Sequence, residues 1–99
     1  MKLRIQSINF DATTTLESYT ERKTKKLTKL FDEILNVDVY LKVIKPETAT
    51  NKEAEIKISV PSADFFASKV CDTFEEAVDL SVEALEKQIR KYKEKLSKK

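Results

Sequence analysis

The sequence contains no glycine and no histidine, a single cysteine and two prolines among its 99 residues. Each shortage removes a class of function. Without glycine there is no P-loop and no dinucleotide-binding fingerprint, because both need glycines where the backbone closes on a phosphate. With no histidine and no cysteine cluster, the usual zinc and transition-metal sites lack ligands. Cys71 has no imidazole to activate it and no partner for an internal disulfide, so it reads as a small buried apolar group in a chain kept in a reducing compartment. No apolar run approaches the ~20 residues that span a bilayer, and the opening MKLRIQSINF has neither a signal-peptide apolar region nor a cleavage site. A cytoplasmic protein is expected, with no membrane contact, cofactor, metal or small-molecule substrate. The length suits one core, so residues 1–99 are expected to form a single domain.

What is abundant is charge. The net value of +2 is modest, and its distribution says more. Thr73 to Lys99 reads as one long helix whose first part is acidic (Glu75, Glu76, Asp79, Glu83, Glu86) and whose last part is basic (Lys87, Arg90, Lys91, Lys93, Lys95, Lys98, Lys99). The helix dipole favours this order over the terminal turns and leaves the longer basic run unexplained.

Taken in order, Leu3 and Ile5 alternate with Lys2, Arg4 and Gln6, the period of a half-buried strand. Thr14-x-x-Glu17 has the spacing of a capping box, and the apolar positions Leu16, Tyr19, Leu27, Leu30, Phe31 and Ile34 predict a helix to about Leu35. Asn36 is its expected C-terminal stop, since asparagine tolerates the left-handed conformation in the absence of glycine. Lys23 falls near the apolar stripe, with its ammonium expected in water. Val37 to Val43 alternates as a second strand, residues 46–51 form a polar turn, and Ala54, Ile56, Ile58 and Val60 mark a third strand. After Pro61-Ser62, residues 64–71 form a fourth whose facing is open, because Phe65 and Phe66 are adjacent. Thr73-x-x-Glu76 is a second capping box. Beyond it Phe74, Ala77, Val78, Val82, Leu85, Ile89, Tyr92 and Leu96 make the buried stripe of the final helix, with Leu80 pointing outward.

The order is thus β-α-β-β-β-α, an α+β fold with a four-stranded sheet and two helices packed on one face. It resembles the double-stranded-RNA-binding domains, which read structured RNA by shape. Placed side by side, the helices are expected to present two basic ridges: Arg22, Lys25, Lys26 and Lys29 on the first, and Lys87, Lys91, Lys95 and Lys98 on the second, with Arg90 and Lys93 nearby. Lysine-rich faces are often merely solvated, and a pair such as Glu83 with Lys87 adds only a few tenths of a kcal/mol. Two neighbouring ridges with few acidic interruptions on the second argue instead for phosphate binding.

The segment TFEEAVDLSVEALEKQIRKYKEK resembles the final-helix signature of the ribosome hibernation promoting factors, also called the ribosome-associated inhibitor family, through Ala77, Val78, Asp79, Leu85, Lys87, Gln88, Ile89, Lys91 and Lys93. Leu3-x-Ile5, the cadence Lys23-x-x-Lys26-Leu27-x-Lys29-Leu30 and Val39-x-Leu41-x-Val43 are similar to the family as well. The chain departs at Ser7, where the family commonly has glycine, at Thr73 for the capping aspartate, at Glu75 for a tyrosine, and at Ala84 for a lysine of the RNA-facing ridge. The resemblance implies a short-type factor, monomeric when free, that binds the small ribosomal subunit and its 16S ribosomal RNA between head and body, blocks the tRNA and mRNA sites, and inhibits translation in stationary phase or stress. It implies no catalysis, with Lys87, Arg90, Lys91, Lys95 and Lys98 as first RNA contacts and Arg22, Lys25, Lys26 and Lys29 as second. Two other classes stay open: an RNA- or protein-binding regulator of the same fold, docking through the open sheet face, and an enzyme using outward carboxylates such as Glu53 and Glu55.

Overall fold

A computed structural model of the chain describes residues 2–44 and 50–97. The elements are β1 (Lys2–Ile8), α1 (Thr14–Leu30), β2 (Asn36–Val43), β3 (Lys52–Val60), β4 (Ala63–Cys71) and α2 (Phe74–Ser97). The sheet runs β1-β2-β3-β4, with β1 parallel to β2 and both later pairs antiparallel. This is the expected β-α-β-β-β-α architecture. Residues 46–49 of the expected polar turn lie outside the described residues.

Alternation decides which sheet face is covered. Val37, Val39 and Leu41 of β2, Ala54, Ile56, Ile58 and Val60 of β3, and Phe65, Ala67 and Cys71 of β4 are buried under the helices. Lys2, Arg4, Lys57 and Phe66 stand on the opposite, open face, where the register aligns Arg4 with Asp38, Asp38 with Lys57 and Lys57 with Phe66. The phenylalanine ambiguity is resolved by this register: Phe65 is 8% exposed and Phe66 54%. From α2, Phe74, Ala77, Val78, Val82, Leu85 and Ile89 complete the core as expected, and Tyr92 packs against its margin. Leu96 departs from the expected stripe and is exposed.

Both helix starts are capped by threonine, one of them not the predicted one. Thr73 accepts from the Glu76 amide at 3.1 Å, as its capping box requires. At α1 the cap is Thr13, whose Oγ1 accepts from the Leu16 amide at 3.1 Å, so Thr14 lies one residue inside the helix. That helix also stops earlier than the apolar period suggests. Phe31 is already extended (φ −148°, ψ 114°), and its amide closes the last turn on the Leu27 carbonyl. Phe31 and Ile34 are buried because the chain turns over the core, not because the helix continues. Asn36 accordingly begins β2, and the left-handed asparagine is Asn9 (φ 69°), between β1 and α1.

The apolar stripe of α1 has a gap between Tyr19 and Leu27, filled by Thr20 and Thr24. Both are fully buried, and their hydroxyls donate to the Leu16 and Thr20 carbonyls at 2.9 and 3.0 Å. Satisfied within their own helix, they cost the core no unpaired polar group. The two helices run parallel: Tyr19 reaches Asp79 near the start of α2, and Lys93 near its end reaches Leu30.

Candidate nucleic-acid interface

Contacts along its length hold α2 in place, and they decide where its lysines point. At its start the Tyr19 hydroxyl donates to both oxygens of Asp79 (2.7 and 2.8 Å), and Lys23 pairs with the same carboxylate at 3.2 Å. The Lys23 ammonium, at the partly exposed boundary expected for it, is also engaged across the helix interface. The Asp79 hydrogen bond and charge raise its pKa, while burial first and Asp79 second raise that of Tyr19. In the middle, the Gln88 amide donates to the Phe66 carbonyl at 2.9 Å, tying α2 to the edge strand. Toward the end, the Tyr92 ring meets Phe31 and Phe65 edge-on at centroid distances of 5.8 and 5.3 Å.

So oriented, α2 turns its acidic flank toward α1. Asp79, Glu83 and Glu86 line the groove between the helices together with Lys23 and Lys26. Farther along, Arg90 joins Lys26, Lys29, Leu30 and Glu86 around a second concavity. The lysines lie elsewhere: Lys91 and Lys95 border Phe65, Gln88 and Tyr92, and Lys87 stands near Lys69 of β4. The two expected ridges do not adjoin. Lys87, Lys91 and Lys95 form one strip on the β4 side of α2, and Arg22, Lys25, Lys26 and Lys29 form another on α1, with the acidic line between them.

The cations also differ in availability. Lys25 pairs with Glu21 at 3.6 Å and Arg90 with the half-buried Glu86 at 3.8 Å, long i,i+4 surface contacts of small worth. Arg22 lies over the Tyr19 ring, 5.6 Å from its centroid. Lys93 donates to the Leu30 carbonyl at 2.8 Å and caps the end of α1. Among the described residues, Lys26, Lys29, Lys87, Lys91 and Lys95 enter no ion pair, and the Glu83–Lys87 pair suggested by spacing is not formed. Lys98 lies outside the described residues. Lys69 was not anticipated; the available signal was a charged residue in the buried parity of a strand, beside Phe65, Ala67 and Cys71.

The open sheet face is different in kind. Lys42 sits between Glu53 (3.8 Å) and Glu55 (3.1 Å), and the Glu55 hydrogen bond raises its pKa. Glu53 and Glu55, the outward carboxylates of the enzyme alternative, are thus engaged with an ammonium. No cluster of three potential metal ligands occurs among the described residues, and none of the described helices is long and apolar enough to cross a membrane. Burial raises the Cys71 thiol pKa, which keeps it protonated and poorly nucleophilic.

Fold and surface together define a class: an α+β module with parallel helices over one sheet face and exposed cation strips on those helices. The chain belongs to the family described as sigma 54 modulation protein / S30EA ribosomal protein, whose family model matches residues 3–97. It is 32% identical over 101 residues to a ribosome hibernation promotion factor of Bacillus subtilis and 34% identical over 97 residues to one of Picosynechococcus. All and 96% of this chain are covered in the two matches, against 52% and 50% of those proteins, so the chain spans about half the length of these curated relatives. A ribosomal subunit interface protein from Coxiella burnetii superposes with a TM-score of 0.83 at 25% identity, covering 94% of this chain and 98% of that one. The N-terminal domain of Protein Y from Thermus thermophilus shares the fold (TM-score 0.81, 22% identity, covering 93% and 99%).

Proposed function

We propose that residues 1–99 act as one ribosome-binding domain of a hibernation factor, seated on the small subunit between head and body, where it occupies the tRNA and mRNA sites and stops translation in stationary phase or stress. The observation that carries this is the strip of unpaired lysines, Lys87, Lys91 and Lys95, held on α2 by Gln88 and Tyr92. The relatives' names, ribosome hibernation promotion factor and ribosomal subunit interface protein, support the choice of ribosome over other polyanions. The mechanism is occupancy and not chemistry: lysines neutralise 16S ribosomal RNA phosphates, and the folded body excludes tRNA and mRNA. Lys26 and Lys29 supply the second strip, and Arg22, Lys25 and Arg90 join once phosphate competes for them.

The test is cosedimentation with purified small subunits. Changing Lys87, Lys91 and Lys95 together to Glu abolishes it while circular dichroism stays native, and retained binding would refute the assignment. Native binding weakens with salt by roughly 0.7 to 0.9 log units per tenfold for each phosphate neutralised.

A further inference from the structure

Lys69 occupies a position that strand alternation reserves for the core. Its neighbours of the same parity, Phe65, Ala67 and Cys71, are buried under α2, and the residue paired with it on β3, Ala54, is fully buried. Lys69 itself is exposed. The reason lies above it in α2. The residues that overhang this stretch of β4 are Leu80, Glu83, Ala84 and Lys87, and with Lys69 they line a concavity open to solvent. A methyl at residue 84 leaves room for the lysine stem to emerge from under the helix with its ammonium in water. Among the described residues Lys69 forms no ion pair. The strip of free ammonium groups on α2 begins at Lys87, and Lys69 stands one helical turn before it, where α2 itself contributes Leu80, Glu83 and Ala84 but no cation.

We propose that Lys69 is a phosphate-binding residue for ribosomal RNA, extending the Lys87, Lys91 and Lys95 strip onto β4; this rests on the ribosome-binding reading above. The plainer use of a lysine on an edge strand is to deter pairing with another sheet. That role requires charge at the strand edge and makes no demand that the charge align with a helix strip.

Purified small ribosomal subunits, titrated with the full chain over a series of salt concentrations, separate these roles. Lys69→Gln is expected to bind roughly fivefold more weakly, the size of one exposed charge contact, and to lose about 0.7 to 0.9 from the salt slope. Adding Ala84→Lys to Lys69→Gln returns an ammonium to the same concavity from the helix side and restores both quantities. Lys57→Gln, on the open face, changes neither. Lys69→Gln binding like the native chain while Lys91→Gln binds weakly would overturn the assignment of Lys69 and leave the ribosome reading standing. Loss without rescue by Ala84→Lys would show that an ammonium in this concavity is not what binding requires and would also overturn it. A native chain that fails to bind the subunits removes the reading and this proposal together.

Discussion

Tyr92 joins the stability of the fold to the placement of the proposed interface, and Tyr92→Leu tests both. Its ring contacts Phe31 and Phe65 edge-on, bridging the end of α1, the last half of α2 and the edge strand β4. Leucine keeps much of the apolar area and removes the ring edges. Two such contacts at about 0.5–1.5 kcal/mol each give an expected loss of about 1–3 kcal/mol. A domain of this size loses roughly 4–8 °C of Tm per kcal/mol, so a fall of several degrees is readable by thermal circular dichroism. Urea unfolding gives the free energy, and the double variants with Phe31→Leu and Phe65→Leu isolate each pair as a coupling energy. Lys91 and Lys95 border the same cleft as Tyr92, so loosening this end of α2 should weaken small-subunit binding more than a loss of stability alone explains. Coupling energies near zero would refute the lock. Native affinity in a destabilised Tyr92→Leu would refute its link to the lysine strip.

The remaining predictions bear on single elements. Thr13→Ala should cost about 1 kcal/mol in urea unfolding, as a lost N-cap does, whereas Thr14→Ala costs little; equal effects would contradict the cap seen at Thr13. Phe65→Ala should cost about 3–5 kcal/mol and Phe66→Ala far less, since only Phe65 is buried. Tyr19 and Lys23 both have raised pKa values in the folded state, so their contribution is fully present below the ordinary values of 10.0 and 10.5 and is lost as pH rises through the folded ones. Stability should therefore decline in alkali, and Tyr19→Phe should remove part of that decline without altering stability's pH dependence near neutrality. Changing Glu83 and Glu86 to Gln should tighten binding to any polyanion, heparin included; unchanged heparin affinity would show that the acidic line exerts no repulsion.

What could be read from the sequence was local, and what could not was relational. The Thr73 cap and the Ala54 to Val60 alternation depend on residues a few positions apart, and both are present in the fold. The end of α1 is less legible because Phe31 and Ile34 continue the helical spacing while serving a turn packed over the same core. Nothing in a helical period distinguishes a buried turn from another turn of helix when no glycine marks the stop. Lys23 could be placed near the apolar stripe, but its partner Asp79 lies on the other helix and is brought to it only by tertiary packing. Lys69 was hidden for a related reason: the residues that share its concavity, Leu80, Glu83, Ala84 and Lys87, lie on α2 and meet it only in the fold.

The same distinction governs the charge. A helical wheel separates the lysine flank of α2 from the Asp79–Glu83 flank, but only the topology decides which flank meets α1. The parallel packing of the helices, fixed by Tyr19 on Asp79 and Lys93 on Leu30, puts the acidic flank inward. Two cation strips with an acidic line between them attract a uniform polyanion less than a single broad patch of equal charge would, because a backbone crossing the line meets repulsion within about one Debye length, ~10 Å. On the proposed reading, that pattern favours an RNA surface presenting phosphates in two separate tracks over an arbitrary strand. A net charge of only +2 is then compatible with selective binding, since selectivity comes from where the unpaired lysines stand and from what lies between them.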